Sequence, residues 1–139
     1  MDFINSSSNY FLNKSTYINL RWIGIIGQFL TINIVAFIFK FEFNYILSNV
    51  IVIFGAISNI FLISYNRSTQ LSNKIAFYYL LADILQLSLL LYLTGGILNP
   101  FSVFLIIPSV FASSNLNIKT NLILILITIL SISVLTLYH

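Results

Sequence analysis

The sequence lacks cysteine and has few charged side chains. Of its 139 residues only 6% are charged and 59% are hydrophobic, whereas a soluble globular domain carries roughly 25% charge. The mean hydropathy is +1.01, and the apolar residues fall in stretches near the length that crosses a bilayer. So few charges cannot cover the surface of a folded protein of this size. We therefore expect a protein embedded in a lipid bilayer.

The scarcity of reactive side chains excludes several kinds of site. With one His and only Asp2, Glu42 and Asp83 as carboxylates, we expect no metal site, no disulfide framework and no hydrolytic carboxylate pair. No glycine-rich loop suited to phosphate is present. The net charge of +3 comes from basic residues scattered singly at the ends of apolar runs, so no nucleic-acid partner is expected. The sequence thus predicts no catalytic residue.

Five apolar stretches predict an all-α fold, a polytopic bundle of transmembrane helices. In hydrocarbon every backbone polar group needs an internal partner, which a helix supplies, and the alternating polarity of a barrel is absent. The fourth stretch rises only about 21 Å as an α-helix, and we expect Pro108 to kink it. The predicted helices cover residues 22–39, 44–65, 75–94, 101–114 and 120–137.

The distribution of Lys and Arg predicts a cytoplasmic N-terminus. A polar segment, 1–20, then precedes a transmembrane domain, 21–139, and the connection 95–100 faces the extracytoplasmic side together with His139. Because an odd number of spans leaves the C-terminus outside, we expect a truncated chain. Under this orientation Lys14, Arg21, Arg67, Lys74 and Lys119 lie inside and Lys40 lies outside, as the positive-inside rule requires.

Polar residues within the predicted helices indicate the faces that turn inward. Counted from the predicted cytoplasmic ends, Gln28, Asn59 and Asp83 all lie about 9 to 12 Å into the membrane, so we expect one polar cluster. No basic side chain is expected at that depth, which would favour the protonated form of Asp83. The cluster either fixes helix register or serves as a proton relay or ligand site. The expected inward stripes are Gly24, Gln28 and Thr31; Ser48, Val52, Gly55 and Asn59; and Tyr79, Asp83, Gln86, Leu90 and Thr94.

The segment 94–101 predicts a tight turn between two helices. Gly95 and Gly96 are placed to end one helix, because glycine adopts left-handed conformations without penalty. Asn99 followed by Pro100 is typical of an N-cap and a first helical residue.

The same turn is suited to a flat, lipid-soluble ring such as a quinone. Two glycines permit close approach to the backbone, and the Asn99 amide is expected to donate a hydrogen bond to a carbonyl oxygen. Aromatic surface would come from Tyr92, Phe101 and Phe104. From the residues alone, a mere bend and a quinone site both remain open.

The pattern Gly-Gly-x-x-Asn-Pro-Phe, formed by Gly95, Gly96, Asn99, Pro100 and Phe101, resembles the ubiquinone-binding heptapeptide of the RegB/PrrB/ActS redox-sensing histidine kinases. The segments 20–28 and 83–87 and Pro108 also resemble that family, so the resemblance runs from about residue 18 to the end. It is specific in the heptapeptide and diffuse elsewhere.

This resemblance implies a six-helix, homodimeric sensor in the bacterial cytoplasmic membrane, with ubiquinone bound at those five residues. It also implies a cytoplasmic ATP-dependent histidine kinase acting on a response regulator. The sequence departs from the family in having five predicted spans, no cysteine and no His in a kinase context. We therefore expect the quinone-binding sensor region of a two-component kinase without its kinase domains, so that the response regulator is reached only through the missing part.

Two other interpretations remain open. A transporter or channel fragment would use Gln28, Asn59 and Asp83 as a polar site beside a helix broken at Pro108, although no inverted repeat is detectable. In the other interpretation, the chain is an inactive remnant with no activity of its own.

Overall fold

The computed structural model describes residues 12–65 and 70–138. The predictions for residues 1–11, for Arg67 and for His139 lie outside this part of the chain. The elements in chain order are β1 (Leu12–Asn13), α1 (Lys14–Phe37), α2 (Tyr45–Tyr65), β2 (Gln70–Leu71), α3 (Asn73–Leu93), two 3-10 helices (Gly96–Leu98 and Pro100–Leu105), α4 (Ile106–Asn115) and α5 (Ile118–Tyr138).

Four of the helices in the described residues are long and apolar enough to cross a membrane, which supports the predicted helical membrane fold. They are Lys14–Phe37, Tyr45–Ser64, Asn73–Leu93 and Ile118–Tyr138. The first begins at Lys14, eight residues before the predicted start. Asn13 caps it by accepting a hydrogen bond from the Thr16 N–H at 3.3 Å, so the polar residues 14–20 belong to the helix.

The fourth predicted span differs from a single α-helix. It consists of the 3-10 helix Pro100–Leu105 followed by the ten-residue α4. Pro108 lies in the first turn of α4, where an N–H group would lack an intrahelical partner, so it fits the start of a helix and does not kink one midway. Because a 3-10 helix rises about 2.0 Å per residue, the segment 100–115 rises roughly 27 Å.

The connections define two ends of the bundle. At the strand end, β1 pairs antiparallel with β2, and the Asn73 side chain bonds both the Asn117 N–H at 3.1 Å and the Thr120 hydroxyl at 2.7 Å. At the hairpin end, which contains residues 94–101, Asn99 bonds Thr94. The segment 100–115 therefore runs the full length of the bundle beside α3. The same geometry places Lys14, Lys74 and Lys119 at the strand end.

Helix α3 is the centre of the packing. One core cluster joins it to α4 and α5, and a smaller cluster of Ile25, Ile32, Ile51, Val52 and Leu90 joins it to α1 and α2. The predicted inward stripe of α2 is confirmed, since its four residues are buried. The buried residues of α1 include Ile25 and Ile32, whereas Gly24 and Thr31 border an open cleft. Large apolar side chains cover the outer surface, Ile23 at 69% and Phe54 at 66% exposure among them, as suits a lipid environment.

Candidate functional site

A cleft of about 1180 Å³ opens between α1 and the segment 100–115, with α3 as its floor. It reaches from the hairpin end to Asp83, and most of its lining is apolar. Gly24 and Gly27 form part of the α1 wall, and a Cβ atom at either position would meet no atom within 4 Å. Free space therefore lies beside the α1 wall at these two positions.

The backbone of the hairpin has the predicted form. Gly95 has a φ of 122° and Gly96 a φ of 62°, the left-handed region that favours glycine. Asn99 is the N-cap of the second 3-10 helix: its Oδ1 accepts a hydrogen bond from the Phe101 N–H at 2.9 Å, and Pro100 is the first helical residue. The roles predicted for these residues in the turn are confirmed.

The amide nitrogen of Asn99 is used within the hairpin. Its Nδ2 donates to the Thr94 carbonyl at 3.2 Å and to the Thr94 hydroxyl at 2.9 Å, which occupies both protons. Its side chain joins the end of α3 to the following 3-10 helix. Donation by Asn99 to a ligand carbonyl stays a prediction, and it would require one of these two bonds to open.

Four of the five heptapeptide residues line the cleft. Gly95, Asn99, Pro100 and Phe101 border it, whereas Gly96 is buried and does not. The ring of Phe101 lies 5.6 Å from that of Phe104, centroid to centroid. This half-exposed aromatic pair lines the hairpin end of the cleft.

At the other end of the cleft, Arg21 holds three helices together. Its Nη2 lies 2.8 Å from Asp83 Oδ1, and its Nε donates to the same oxygen at 3.0 Å. From α2, the Ser58 hydroxyl accepts from Nη2 at 3.0 Å and Asn59 Oδ1 accepts from Nη1 at 3.4 Å. The Tyr17 hydroxyl donates to Asp83 Oδ2. We call Tyr17, Arg21, Ser58, Asn59 and Asp83 the arginine cluster.

The arginine cluster corrects the predicted polar cluster. Asn59 and Asp83 do meet, through Arg21, but Gln28 is elsewhere. Both α1 and α3 begin at the strand end, so positions along them can be compared. Asp83 lies about 15 Å from the start of α3, whereas Arg21 lies about 10 Å and Gln28 about 21 Å from the start of α1 at Lys14. Gln28 is therefore nearer the hairpin end than Asp83. The expected absence of a basic partner for Asp83 is also wrong. The single polar site on which the transporter interpretation depends is not assembled.

Gln28 instead contacts Gln86 nearer the middle of the cleft. Gln86 Nε2 donates to Gln28 Oε1 at 3.1 Å, and both side chains line the cleft. The predicted stripe on α3 is confirmed in its direction, since Tyr79, Asp83 and Gln86 all face α1.

At the strand end of the cleft, α1 contacts α4. The rings of Tyr17 and Phe111 stack with centroids 5.9 Å apart and planes inclined by 22°. The guanidinium carbon of Arg21 lies 5.5 Å from the Tyr17 ring centroid, a cation–π distance. This contact joins the arginine cluster to the wall of the cleft that carries the heptapeptide.

Sequence reasoning missed the roles of Arg21 and Tyr17. The positive-inside rule predicts Arg21 at the cytoplasmic boundary of the membrane, whereas the structure buries its side chain at 8% exposure. The available signal was Asp83 itself, because a lone carboxylate in an apolar span requires a partner.

Comparison with known proteins supports a sensor-kinase relationship. The chain is 33% identical over 112 residues to the sensor histidine kinase RegB of Cereibacter sphaeroides; the match covers 78% of this chain and 24% of that kinase. The chain therefore spans about a quarter of the length of this relative. No protein-family model matches the chain, and no solved structure matches it. Together with the apolar helices, the match supports a membrane region like that of RegB.

Proposed function

We propose that this chain is the quinone-binding redox-sensor region of a two-component sensor histidine kinase. The observation that carries the proposal is the position of the heptapeptide, which lines one end of a large apolar cleft. A mere bend between helices would need the glycines and the cap of Asn99, but it would not need a cleft of this size beside them.

The residues present fit ubiquinone in shape and polarity. Phe101 and Phe104 would provide apolar surface for the ring, and the open stretch along Gly24 and Gly27 would admit an isoprenoid chain. Asn99 would act indirectly, by holding Gly95 and Phe101 in place. When bound, ubiquinone supplies a two-electron redox state that follows the quinone pool.

Five membrane crossings with a cytoplasmic strand end are part of this proposal. The segment 100–115 rises roughly 27 Å and reaches from one end of the bundle to the other. Three described lysines, Lys14, Lys74 and Lys119, lie at the strand end, whereas Lys40 lies in the opposite loop. This asymmetry supports a cytoplasmic strand end by the positive-inside rule, and the cleft then opens on the extracytoplasmic side of a bacterial inner membrane.

Sensing would depend on the two walls of the cleft. α1 and the segment 100–115 both pack on α3 or its neighbours, and Tyr17 joins them through Phe111 at one end. A ligand biases the spacing of these walls only if it binds one spacing better. A change in spacing would reach the arginine cluster through Tyr17, and from there the cytoplasmic end of α1. Kinase activity, homodimer formation and a response regulator would belong to the complete sensor.

Photoaffinity labelling tests the proposal. Membranes that contain the chain are exposed to a photoreactive ubiquinone analogue, and labelled peptides are mapped. We expect label on the segments 24–31 and 94–104. Gly24→Leu should fill the cleft and reduce labelling at least fivefold, whereas the matched Gly24→Ala should reduce it little because the space there is open. Labelling that is absent, or that Gly24→Leu leaves unchanged, would refute a quinone site in the cleft.

A further inference from the structure

The contact between Gln28 and Gln86 leaves polar groups unused inside an apolar cleft. One hydrogen bond between two primary amides occupies one N–H of Gln86 and the oxygen of Gln28, so the amide group of Gln28 and the oxygen of Gln86 remain available. Within the described residues, the buried polar side-chain atom without a partner is Asn121 Oδ1, so the unbonded groups of the two glutamines are not buried. Because both residues line the cleft, these groups are accessible from it.

The backbone of α2 positions the amide of Gln86. A Cβ atom at Gly55 would lie 2.7 Å from both Nε2 and Oε1 of Gln86, closer than real Cβ contacts allow. The absence of a side chain at Gly55 lets the amide sit directly against α2 while it bonds α1. The three helices together thus fix where the glutamine oxygen is presented.

A second amide pair shows what purely structural packing looks like in this protein. Asn33 and Asn49 join α1 to α2 with two reciprocal hydrogen bonds, at 3.1 Å and 3.2 Å, and neither residue lines the cleft. Each of these amides donates one hydrogen bond to the other and accepts one from it. The glutamine pair is bonded once and faces the cleft, which is the arrangement expected of groups that receive a ligand.

We propose that Gln28 and Gln86 are the residues that recognise the polar ring of the bound ligand, an inference that rests on the proposed function. Gln28 Nε2 would donate to a ring carbonyl of the oxidised quinone. Gln86 Oε1 would accept from a hydroxyl of the quinol and would have no donor to accept from in the quinone. The redox state is then read on α3, at a residue about 12 Å along the helix from Thr94, with Phe101 and Phe104 on the hairpin side of the ring.

Binding to the full chain in lipid nanodiscs tests this assignment. The probe is ubiquinone with a single isoprenoid unit, titrated in its oxidised and reduced forms. Gln28→Met should weaken binding of the oxidised form about fivefold, and it should raise the carbonyl stretching frequency of the bound quinone. Gln86→Met should weaken the quinol more than the quinone, by about fivefold in the ratio of the two dissociation constants.

Two further variants separate recognition from packing. Gly55→Ala retains both glutamines but displaces the Gln86 amide, and it should shift the ratio of dissociation constants in the same direction as Gln86→Met. Asn49→Leu removes an amide pair outside the cleft and should leave both constants and the carbonyl frequency unchanged.

The possible failures are distinguishable. If the unmodified chain binds neither form, the proposed function fails and this assignment fails with it. If the unmodified chain binds and the glutamine variants bind equally well with the same carbonyl frequency, only the glutamine assignment is overturned. An equal loss in Asn49→Leu would also overturn it, because packing would then explain the effect.

Discussion

The two ends of the cleft are built in different ways. At the hairpin end, the hydrogen bonds of Asn99 join residues only 2 and 5 positions apart in the chain. At the strand end, the bonds of Arg21 and Tyr17 join residues 37 to 66 positions apart. The hairpin is therefore specified by its own few residues, whereas the arginine cluster exists only when three helices have packed.

The two ends therefore have different roles: the hairpin shapes the cleft, and the arginine cluster holds helices together. The hairpin fixes the form of one end of the cleft through bonds between residues close in the chain. The arginine cluster holds α1, α2 and α3 together where nearby side chains are mostly apolar. Changes at the strand end should therefore cost the most stability, whereas changes at the hairpin end should cost less and should alter the shape of the cleft.

The largest expected effect follows removal of the guanidinium. Arg21→Met leaves Asp83 with Tyr17 but without its cation, and we expect the free energy of unfolding to fall by about 3 kcal/mol, the usual cost of an uncompensated buried charge. The measurement is unfolding in mixed detergent micelles. Arg21→Met combined with Asp83→Leu removes both charges and should recover most of the loss.

Two further variants serve as controls for Arg21→Met. Lys119→Met removes an exposed cation at the same end of the bundle and should change stability by less than about 0.5 kcal/mol. Asp83→Asn retains an oxygen that accepts from Arg21, so its loss should be smaller than that of Arg21→Met. A double variant as unstable as Arg21→Met would contradict the ion pair as the cause.

The second largest effect tests the hairpin backbone. Gly95→Ala places a Cβ atom on a residue with a φ of 122°, which costs about 1 to 3 kcal/mol. Space is not the reason, since the nearest atom to that Cβ would be 3.9 Å away, at Asn99. Gly24→Ala, in a regular helix with open space, should cause no loss. Equal stability of the two variants would show that the hairpin relaxes without strain.

The sequence predicted the hairpin because its chemistry is local. Adjacent glycines and an Asn-Pro pair each have one dominant structural use, so their roles followed from residue type. The arginine cluster could not be found in this way, because the depth of each side chain depends on where its helix begins. The predicted start of α1 at residue 22 placed Arg21 at the boundary and Gln28 level with Asp83. In the structure Asn13 caps α1 and the helix starts at Lys14. Arg21 therefore lies deep enough to bond Asp83, and Gln28 bonds Gln86.

The third prediction concerns the cap. Asn99→Ala removes the bond to the Phe101 N–H and both bonds to Thr94, and it should cost about 1 kcal/mol. Asn99→Asp retains the acceptor but cannot donate to Thr94, so an intermediate loss is expected in the same unfolding measurement. Unchanged stability in both variants together with lost quinone binding would instead assign Asn99 a direct role in ligand binding.

The smallest expected effect on stability is at Phe101, the heptapeptide residue whose side chain is free to contact a ligand. Phe101 is 39% exposed and its ring contacts that of Phe104, so Phe101→Leu should change the free energy of unfolding by less than about 0.5 kcal/mol. Quinone binding should weaken several-fold, because an aromatic contact contributes about 0.5 to 1.5 kcal/mol beyond its area. The measurement pairs unfolding with quinone titration in nanodiscs.

The control for Phe101 is another exposed phenylalanine on a different helix. Phe54→Leu changes a residue that is 66% exposed on α2 and does not line the cleft, so binding and stability should both be unchanged. If Phe101→Leu destabilised the protein as much as Asn99→Ala, Phe101 would belong to the frame of the hairpin and not to its contact surface. The division of the heptapeptide is therefore measurable: Gly95 and Asn99 set the shape that presents Phe101, and only Phe101 should alter binding without altering stability.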